Sequence, residues 1–418
     1  MFLKGAIRLK KSSRKFSAKI LSAGLPWVYS NEIERIDASL SPGAWVALEA
    51  AAGQALGYGH FNPHSLIAYR EFERAPFRSE EQSRALFFTR LDRALEMRMR
   101  AFGERIASGG MGGRSFRLVF GESDGVPGLV VDLYESVSGR AAAVAQCHSA
   151  GADGFVFWLQ QWLAERMGVD SGVLRNDLDA RRRENAPLSV SEWGSLPSEP
   201  FALEGGVRFF VDLKQGQKTG YFYDLRDCRA ELSARAASLE APAVLDCFSY
   251  VGAWGLQVLR KNPRATLVAL DVSGAALQSL RRNAEANDLG ARVETVQADF
   301  FKLGDRPFVP KDGFDVVAVD PPALTVSAKQ AAQGRRAHEA CFAEGLGMLR
   351  AGGLAAFSSC SFHLSWGDFM ECVARASHAR SGGLRISYFG SQSADHPVLA
   401  SMPESRYLKC VIGNTLFR

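Results

Sequence analysis

A chain of 418 residues, 47% hydrophobic and 23% charged, can bury a full core and has room for two or three domains. No apolar run approaches the roughly 20 residues that span a bilayer, and the N-terminus lacks the apolar stretch of a signal peptide, so a cytoplasmic protein with no membrane partner is expected. The net charge of +5 suits a polyanionic partner, whereas the scattered Cys147, Cys228, Cys247, Cys341, Cys360, Cys372 and Cys410, with no C-x-x-C pair among them, argue against a disulfide framework and against a metal site.

The first twenty residues carry Lys4, Arg8, Lys10, Lys11, Arg14, Lys15 and Lys19 and no acid, a bias that attracts phosphate or simply solvates a terminus. Up to about residue 75, short strands such as Ala44–Leu48 alternate with the turn residues Pro42-Gly43, Gly57, Gly59 and Asn62-Pro63. The segments Pro26–Ile33 and Gly57–Pro63 resemble the PUA family of RNA-binding modules, which implies a small β-rich domain over residues 1–75. Leu86, Phe87, Leu91, Leu95 and Met99 then predict an amphipathic helix from Glu80 to about Ile106, its arginines on the wet faces. The apolar runs Phe116–Phe120, Gly128–Leu133 and Ala141–Ala145, followed by a helical pattern over Phe155–Met167, predict a central α+β domain over residues 76–190. Arg175 and the run Arg181-Arg182-Arg183 are candidates to meet phosphates, with a solvated loop as the alternative.

From residue 191 to residue 418 apolar strands and helices alternate, which predicts an α/β domain with a doubly wound, Rossmann-like parallel sheet. Ligands in such sheets bind beyond the carboxyl ends of the strands, where the order reverses. Four segments end there. Val244–Gly255 runs from a strand through Asp246, Phe248, Ser249, Tyr250 and Gly252 into a turn that lets backbone approach a ligand. Leu267–Asp271 closes with an acid suited to ribose hydroxyls. Ala298–Phe301 offers Asp299 to an adenine amino group beside an apolar face, a surface aspartate being the alternative. Phe314–Pro322 ends in Asp320 and two prolines that stiffen the loop. In this order and spacing the four resemble the class I methyltransferases, which implies S-adenosyl-L-methionine as cofactor.

A later apolar run, Gly353–Ser361, puts Cys360 between small serines where another strand ends, toward the same crevice. The other six cysteines read as packing. A thiol of ordinary pKa, about 8.5, is only a few per cent thiolate at neutral pH, so a nucleophilic Cys360 needs help from its surroundings.

The stretch Val211–Arg229, together with Glu122–Leu129, Asp395-His396-Pro397 and Tyr407-Leu408-Lys409, resembles the 23S ribosomal RNA large-subunit methyltransferase I family, which makes 5-methylcytosine. That resemblance implies ribosomal RNA as partner, Lys218, Tyr221 and Arg226 around the cofactor, Cys360 as nucleophile at carbon 6 of the base, and Asp320 on the base edge. Phe362, Trp366, Tyr250 and Trp254 are candidates to stack on an extruded base, against core packing as their other use. The chain departs from the family after the two prolines, where Ala323 and Leu324 replace a lysine and an aromatic, a change that bears on base selection. A uracil carbon-5 RNA methyltransferase, and a non-catalytic RNA-binding or ribosome assembly factor retaining the fold, stand as alternatives, and a homodimer is an open oligomeric state.

Overall fold

The computed structural model describes residues 3–13, 23–35, 40–76, 79–103, 114–325 and 327–416. Arg14, Lys15 and Lys19 of the basic N-terminal run, and the end of the expected helix beyond residue 103, lie outside the described residues. The chain divides into two compact units, Met1–Ala202 with Val211–Tyr223 and Ala394–Ser405, and Leu203–Phe210 with Asp224–Ser393 and Arg406–Arg418.

The first unit opens with β1 (Gly5–Leu9), β2 (Trp27–Tyr29), β3 (Ile33–Arg35), β4 (Ala44–Glu49), β5 (Ala55–Phe61) and β6 (Ile67–Glu73), in the order β2-β6-β5-β4-β1-β3. Period-two alternation in β4 divides its side chains between two cores: Val46 and Leu48 join Ile7, Leu9 and Phe61, whereas Trp45 packs with Phe72, Phe87 and Phe155. Gly59 is required where it stands, because a Cβ there would lie 2.0 Å from the Arg70 carbonyl oxygen of the neighbouring strand.

The helix Glu80–Phe102 is capped by Ser79, whose side chain accepts the Gln82 N–H. Its buried face is Ser83, Phe87, Leu91, Ala94 and Arg98, one residue round from the stripe expected, and Met99 is exposed. Arg98 turns the face: wholly buried, it donates to Asp124 (2.5 and 2.7 Å) and to the carbonyls of Arg117 (2.9 Å) and Asp395 (2.9 Å), so its charge is paired and its fork saturated. This helix and the helix Val156–Met167 share a core with the apolar faces of β7 (Phe116–Phe120), β8 (Leu129–Ser136) and β9 (Ala141–Cys147). The sheet continues through β10 (Gly172–Arg175) and β11 (Val190–Trp193) on one side and the start of β12 (Pro200–Glu204) on the other, and β13 (Val207–Phe210) is part of the second unit.

Arginines expected at the surface here are internal. Arg181 is 1% exposed and forks onto Asp153 (2.8 and 3.0 Å) while donating to the carbonyls of Cys147 and Pro187. Arg175 is bound by Asp177 and the Gly216 carbonyl. Both serve internal packing, which corrects the phosphate reading for these two, whereas Arg182 and Arg183 are exposed and Arg182 pairs with Asp179.

The second unit is a seven-stranded sheet built from β14 (Ala243–Cys247), β15 (Thr266–Asp271), β16 (Val293–Gln297), β17 (Phe314–Val319), β18 (Leu349–Ser359), β19 (Leu384–Gly390) and β20 (Lys409–Thr415). Their order is β16-β15-β14-β17-β18-β20-β19, with β20 inserted antiparallel to both neighbours and the others parallel. Strands covered on both faces carry continuous apolar runs, as Val316–Val319 does. The chain winds outward from β14 to β16 and then returns to place β17 on the other side of β14, so the order reverses between β14 and β17. Crossover helices such as Gly274–Glu285, capped by Ser273, and Trp366–Ser381, capped by Ser365, cover the sheet.

Candidate active site

Strand register lines up the ends at this reversal. Cys247 is opposite both Leu270 and Val319, Asp271 is opposite Gln297, and Val319 is opposite Phe357. Asp246, Asp271, Asp299, Asp320 and Cys360 therefore come from one edge of the sheet within a residue or two of its carboxyl ends, and the turn carrying Phe248, Ser249, Tyr250 and Gly252 leaves from the same edge.

The turn after β14 has an unusual backbone. Phe248 (φ 60°), Tyr250 (φ 47°) and Gly252 (φ 87°) all sit at positive φ. Only the glycine takes this conformation freely, and the two aromatic residues are held there at about 1–3 kcal/mol each. Hydrogen bonds hold the turn: the Ser249 N–H donates to the Leu270 carbonyl (3.0 Å), the Gly252 N–H to the Ser249 carbonyl (2.7 Å), the Tyr250 N–H to Asp271 Oδ2 (2.9 Å), and the Gly255 N–H to Asp246 Oδ2 (2.9 Å). Asp271 also accepts the Ser273 N–H at Oδ1 (2.8 Å), so its carboxylate is fixed from two sides by backbone.

The carboxyls differ in how they are satisfied. Asp246 is fully buried, its Oδ1 meets no hydrogen-bond partner, and burial pushes its pKa up to about 8, with Asp320 and Asp271 adding in the same direction. Asp320 is raised by burial as well, against the pull of hydrogen bonds from Ser358 Oγ and from Trp254 Nε1 (3.2 Å). Trp254 is thus buried as a donor to Asp320. Asp299 caps the following turn by accepting the Phe301 N–H (3.0 Å) and pairs with Lys302 (3.3 Å). Beside it Phe248 packs on Phe300 and Phe301, the last of them 49% exposed and forming an open apolar face.

The Ser358-Ser359-Cys360-Ser361 segment after β18 is tied down serine by serine. Ser358 bonds Asp320. His338 Nδ1 lies 2.8 Å from the Gly334 carbonyl, which can only accept, so Nδ1 carries a proton. Burial lowers the pKa of His338, keeping it neutral, and its Nε2 then accepts from Ser359 Oγ (2.9 Å). Ser359 Oγ accepts the Ser361 N–H, and Ser361 Oγ accepts the Thr325 N–H. Cys360 is half-buried where the other six cysteines are buried. Lys409, opposite Ser359 across the β18–β20 ladder, donates from Nζ to the carbonyls of Ser361 (2.8 Å) and Leu364 (2.6 Å). From the sequence His338 has no part in the site and Lys409 enters only within the Tyr407-Leu408-Lys409 resemblance, with no role; a lysine opening the apolar strand Cys410–Ile412 was the available signal.

The remaining expected residues are distributed between the units. Arg226 lies in the second, beside Glu204 (3.9 Å), which also receives Arg229 and Gln257. Lys218 and Tyr221 lie in the first, the former at φ 52° with its ammonium over Phe222 and the latter buried against Tyr223. Phe362 is 47% exposed, and Trp366 packs on Phe369.

A donor set of this kind fits S-adenosylmethionine. Two carboxyls raised by burial, and bare acceptors at Asp246 Oδ1 and Ser249 Oγ, suit a ligand carrying an ammonium and a sulfonium, and the ordered Asp271 suits a ribose diol. Residues 175–354 match the family model of the S-adenosylmethionine-dependent methyltransferases, and residues 7–74 that of a PUA-like domain. Fold and site thus define an S-adenosylmethionine-dependent methyltransferase preceded by a PUA-like domain.

Full-length relatives narrow the class. Ribosomal RNA large subunit methyltransferase I of Serratia proteamaculans is 32% identical over 392 residues, covering 92% of this chain and 93% of the relative. Its counterpart from Shewanella amazonensis is 33% identical over 413 residues, covering 98% and 99%. The chain belongs to the ribosomal RNA large subunit methyltransferase I family. Among solved structures, a protein from Streptococcus mutans described as a SAM-dependent methyltransferase superposes with a TM-score of 0.76 at 17% identity, covering 99% of this chain and 100% of its own, and shares the fold. A structure of a methyltransferase complexed with SAH matches equally well. Among the described residues no helix is long and apolar enough to cross a membrane.

Proposed function

We propose that the protein methylates carbon 5 of a cytosine in large-subunit ribosomal RNA through a transient covalent bond to Cys360. The observation that carries this reading is the half-buried Cys360 at the carboxyl end of β18, two residues after Ser358, which is bonded to Asp320. Bound S-adenosylmethionine supplies an electrophilic methyl group. Carbon 5 of cytosine is a weak nucleophile, and addition of the Cys360 thiolate to carbon 6 makes it enamine-like. Asp320, its carboxyl raised by burial, supplies a proton or a hydrogen bond to the base edge as the negative charge of addition develops there. Carbon 5 then takes the methyl group as the sulfonium–methyl bond breaks, and transfer of the carbon-5 proton to a base breaks the carbon-6 to sulfur bond, releasing the Cys360 thiolate and restoring the ring.

In the same reading Asp271 holds the ribose hydroxyls, Asp299 and the Phe248–Phe301 face take the adenine, and Asp246, Ser249, Tyr250 and Gly252 receive the amino-acid end. The PUA-like domain supplies RNA affinity. A uracil target is the second reading, favoured by Ala323 and Leu324 after the two prolines, where the side chains cannot hydrogen-bond a base.

The test is incubation with S-adenosylmethionine tritiated on its methyl group and unmodified ribosomal RNA, followed by digestion to nucleosides. Label in 5-methylcytidine is expected, and label in 5-methyluridine transfers the mechanism to the other base. Cys360→Ala should bind cofactor and transfer no methyl group; full activity in that variant refutes the covalent route.

A further inference from the structure

We propose that Lys409 is the positioning residue of the Cys360 thiol, clamping the loop that carries it and presenting a positive charge that favours thiolate over thiol. The proposal rests on Cys360 being the attacking group and supplies what that role lacks, a means of deprotonation.

Position comes first. Lys409 opens β20 and is paired with Ser359, the residue before Cys360. Two of the three ammonium donors are spent on the carbonyls of Ser361 and Leu364, so the chain that follows Cys360 is drawn around Nζ. With Ser358 bonded to Asp320, Ser359 to His338 and Ser361 to Thr325, the residues on both sides of Cys360 are anchored, which fixes the backbone that carries the thiol.

Charge comes second. Lys409 is 3% exposed, and a buried ammonium with no anionic partner is costly. Burial pushes it down to about 8, Arg406 works in the same direction, and Cys360 works against both. His338 from the neighbouring helix feels Lys409 as well, and it is kept neutral and contributes no anion. Among these groups Cys360 is the one whose ionisation stabilises the ammonium. The effect is reciprocal: whatever the thiolate adds to the protonated lysine, the lysine adds to the thiolate. A clamp alone needs only N–H donors, whereas the charge gives the lysine a function in activating sulfur.

Alkylation of the native protein by iodoacetamide over pH 6–9.5, quantified at the Cys360 peptide by mass spectrometry, reads the thiol directly and needs no RNA. The wild-type midpoint should lie below the ordinary thiol value of about 8.5, and Lys409→Met should raise it by about one unit, cutting the alkylation rate at neutral pH about tenfold. Lys409→Arg, which keeps the charge, should stay close to wild type. A folded, cofactor-binding Lys409→Met with a wild-type midpoint overturns the proposal, and so does a wild-type midpoint at or above about 8.5, a result that requires no variant to fold. Methyl transfer lost in Cys360→Ala together with an unshifted Lys409→Met midpoint sinks the lysine assignment alone. Transfer retained in Cys360→Ala with a shifted midpoint sinks the covalent reading and leaves the charge coupling standing.

Discussion

Replacing Asp246 by asparagine makes a pH-dependent prediction that a merely polar site would not. In the fold the carboxyl is pushed up to about 8, against about 3.9 in an unfolded chain. Between those values the folded protein holds a proton that the unfolded chain releases, so rising pH favours unfolding. The contribution is complete below about pH 4 and lost by about pH 8, at about 1.4 kcal/mol per unit, or on the order of 5 kcal/mol across the window. An amide carries no such dependence. It keeps an acceptor for the Gly255 N–H, but its NH2 meets the space where Asp246 Oδ1 has no partner, a pH-independent cost of about 1–3 kcal/mol. Asp246→Asn should therefore be no more stable than wild type near pH 5 and clearly more stable near pH 8. Urea unfolding of the cofactor-free proteins at pH 5, 6, 7 and 8 measures the difference. A gap that stays constant over that range would show that Asp246 is ionised in the fold, and the reasoning fails. The same variant should bind cofactor poorly, so stability and affinity should move in opposite directions at pH 8.

Two further predictions test the placement of charge. Asp271→Ala removes the acceptor for the Tyr250 and Ser273 N–H groups as well as the proposed ribose contact, and cofactor affinity by calorimetry should fall at least about tenfold, from loss of a charge-assisted hydrogen bond; unchanged affinity removes the assignment. Arg181→Ala should destabilise the first unit by about 3 kcal/mol, since it strands buried acceptors and one charge, whereas Arg182→Ala should lie within about 0.5 kcal/mol of wild type. A stable Arg181→Ala with weakened RNA binding would reinstate the phosphate role that the buried fork onto Asp153 denies it.

The parallel sheet was legible because strands covered on both faces read as apolar runs, and the acids at 246, 271 and 320 stood out as the polar residues closing them. The helix Glu80–Phe102 was legible as an element but not in its facing, because Arg98 reads as a solvent residue until its partner Asp124, 26 positions on, is in place. The same limit hid the strap around Cys360. Ser359 meets His338 across 21 positions and Ser361 meets Lys409 across 48, contacts created by the insertion of β20 between β18 and β19 and by the crossover helix, neither of which any local pattern announces.

Three aspartates at the ends of adjacent strands behave differently because each has a different set of donors. Asp271 is met by two backbone N–H groups at the mouth of the turn, a fixed arrangement that orders a carboxylate before any ligand arrives. Asp320 receives a serine and an indole, both side chains, and remains raised. Asp246 receives one backbone N–H and keeps an oxygen bare. An isolated protein would be more stable with apolar or amide residues at the two deeper positions, since burial raises both acids despite the opposing pull of Arg229. Retaining them makes sense if the missing charge arrives with the ligand. A cationic ligand lowers both pKa values on binding, so binding releases protons while Asp246 is still protonated in the free protein, and that release should fall as pH rises through about 8. The strain of the Phe248–Tyr250 turn belongs to the same economy, since two aromatic residues at positive φ hold the backbone where the ligand, rather than the empty fold, benefits.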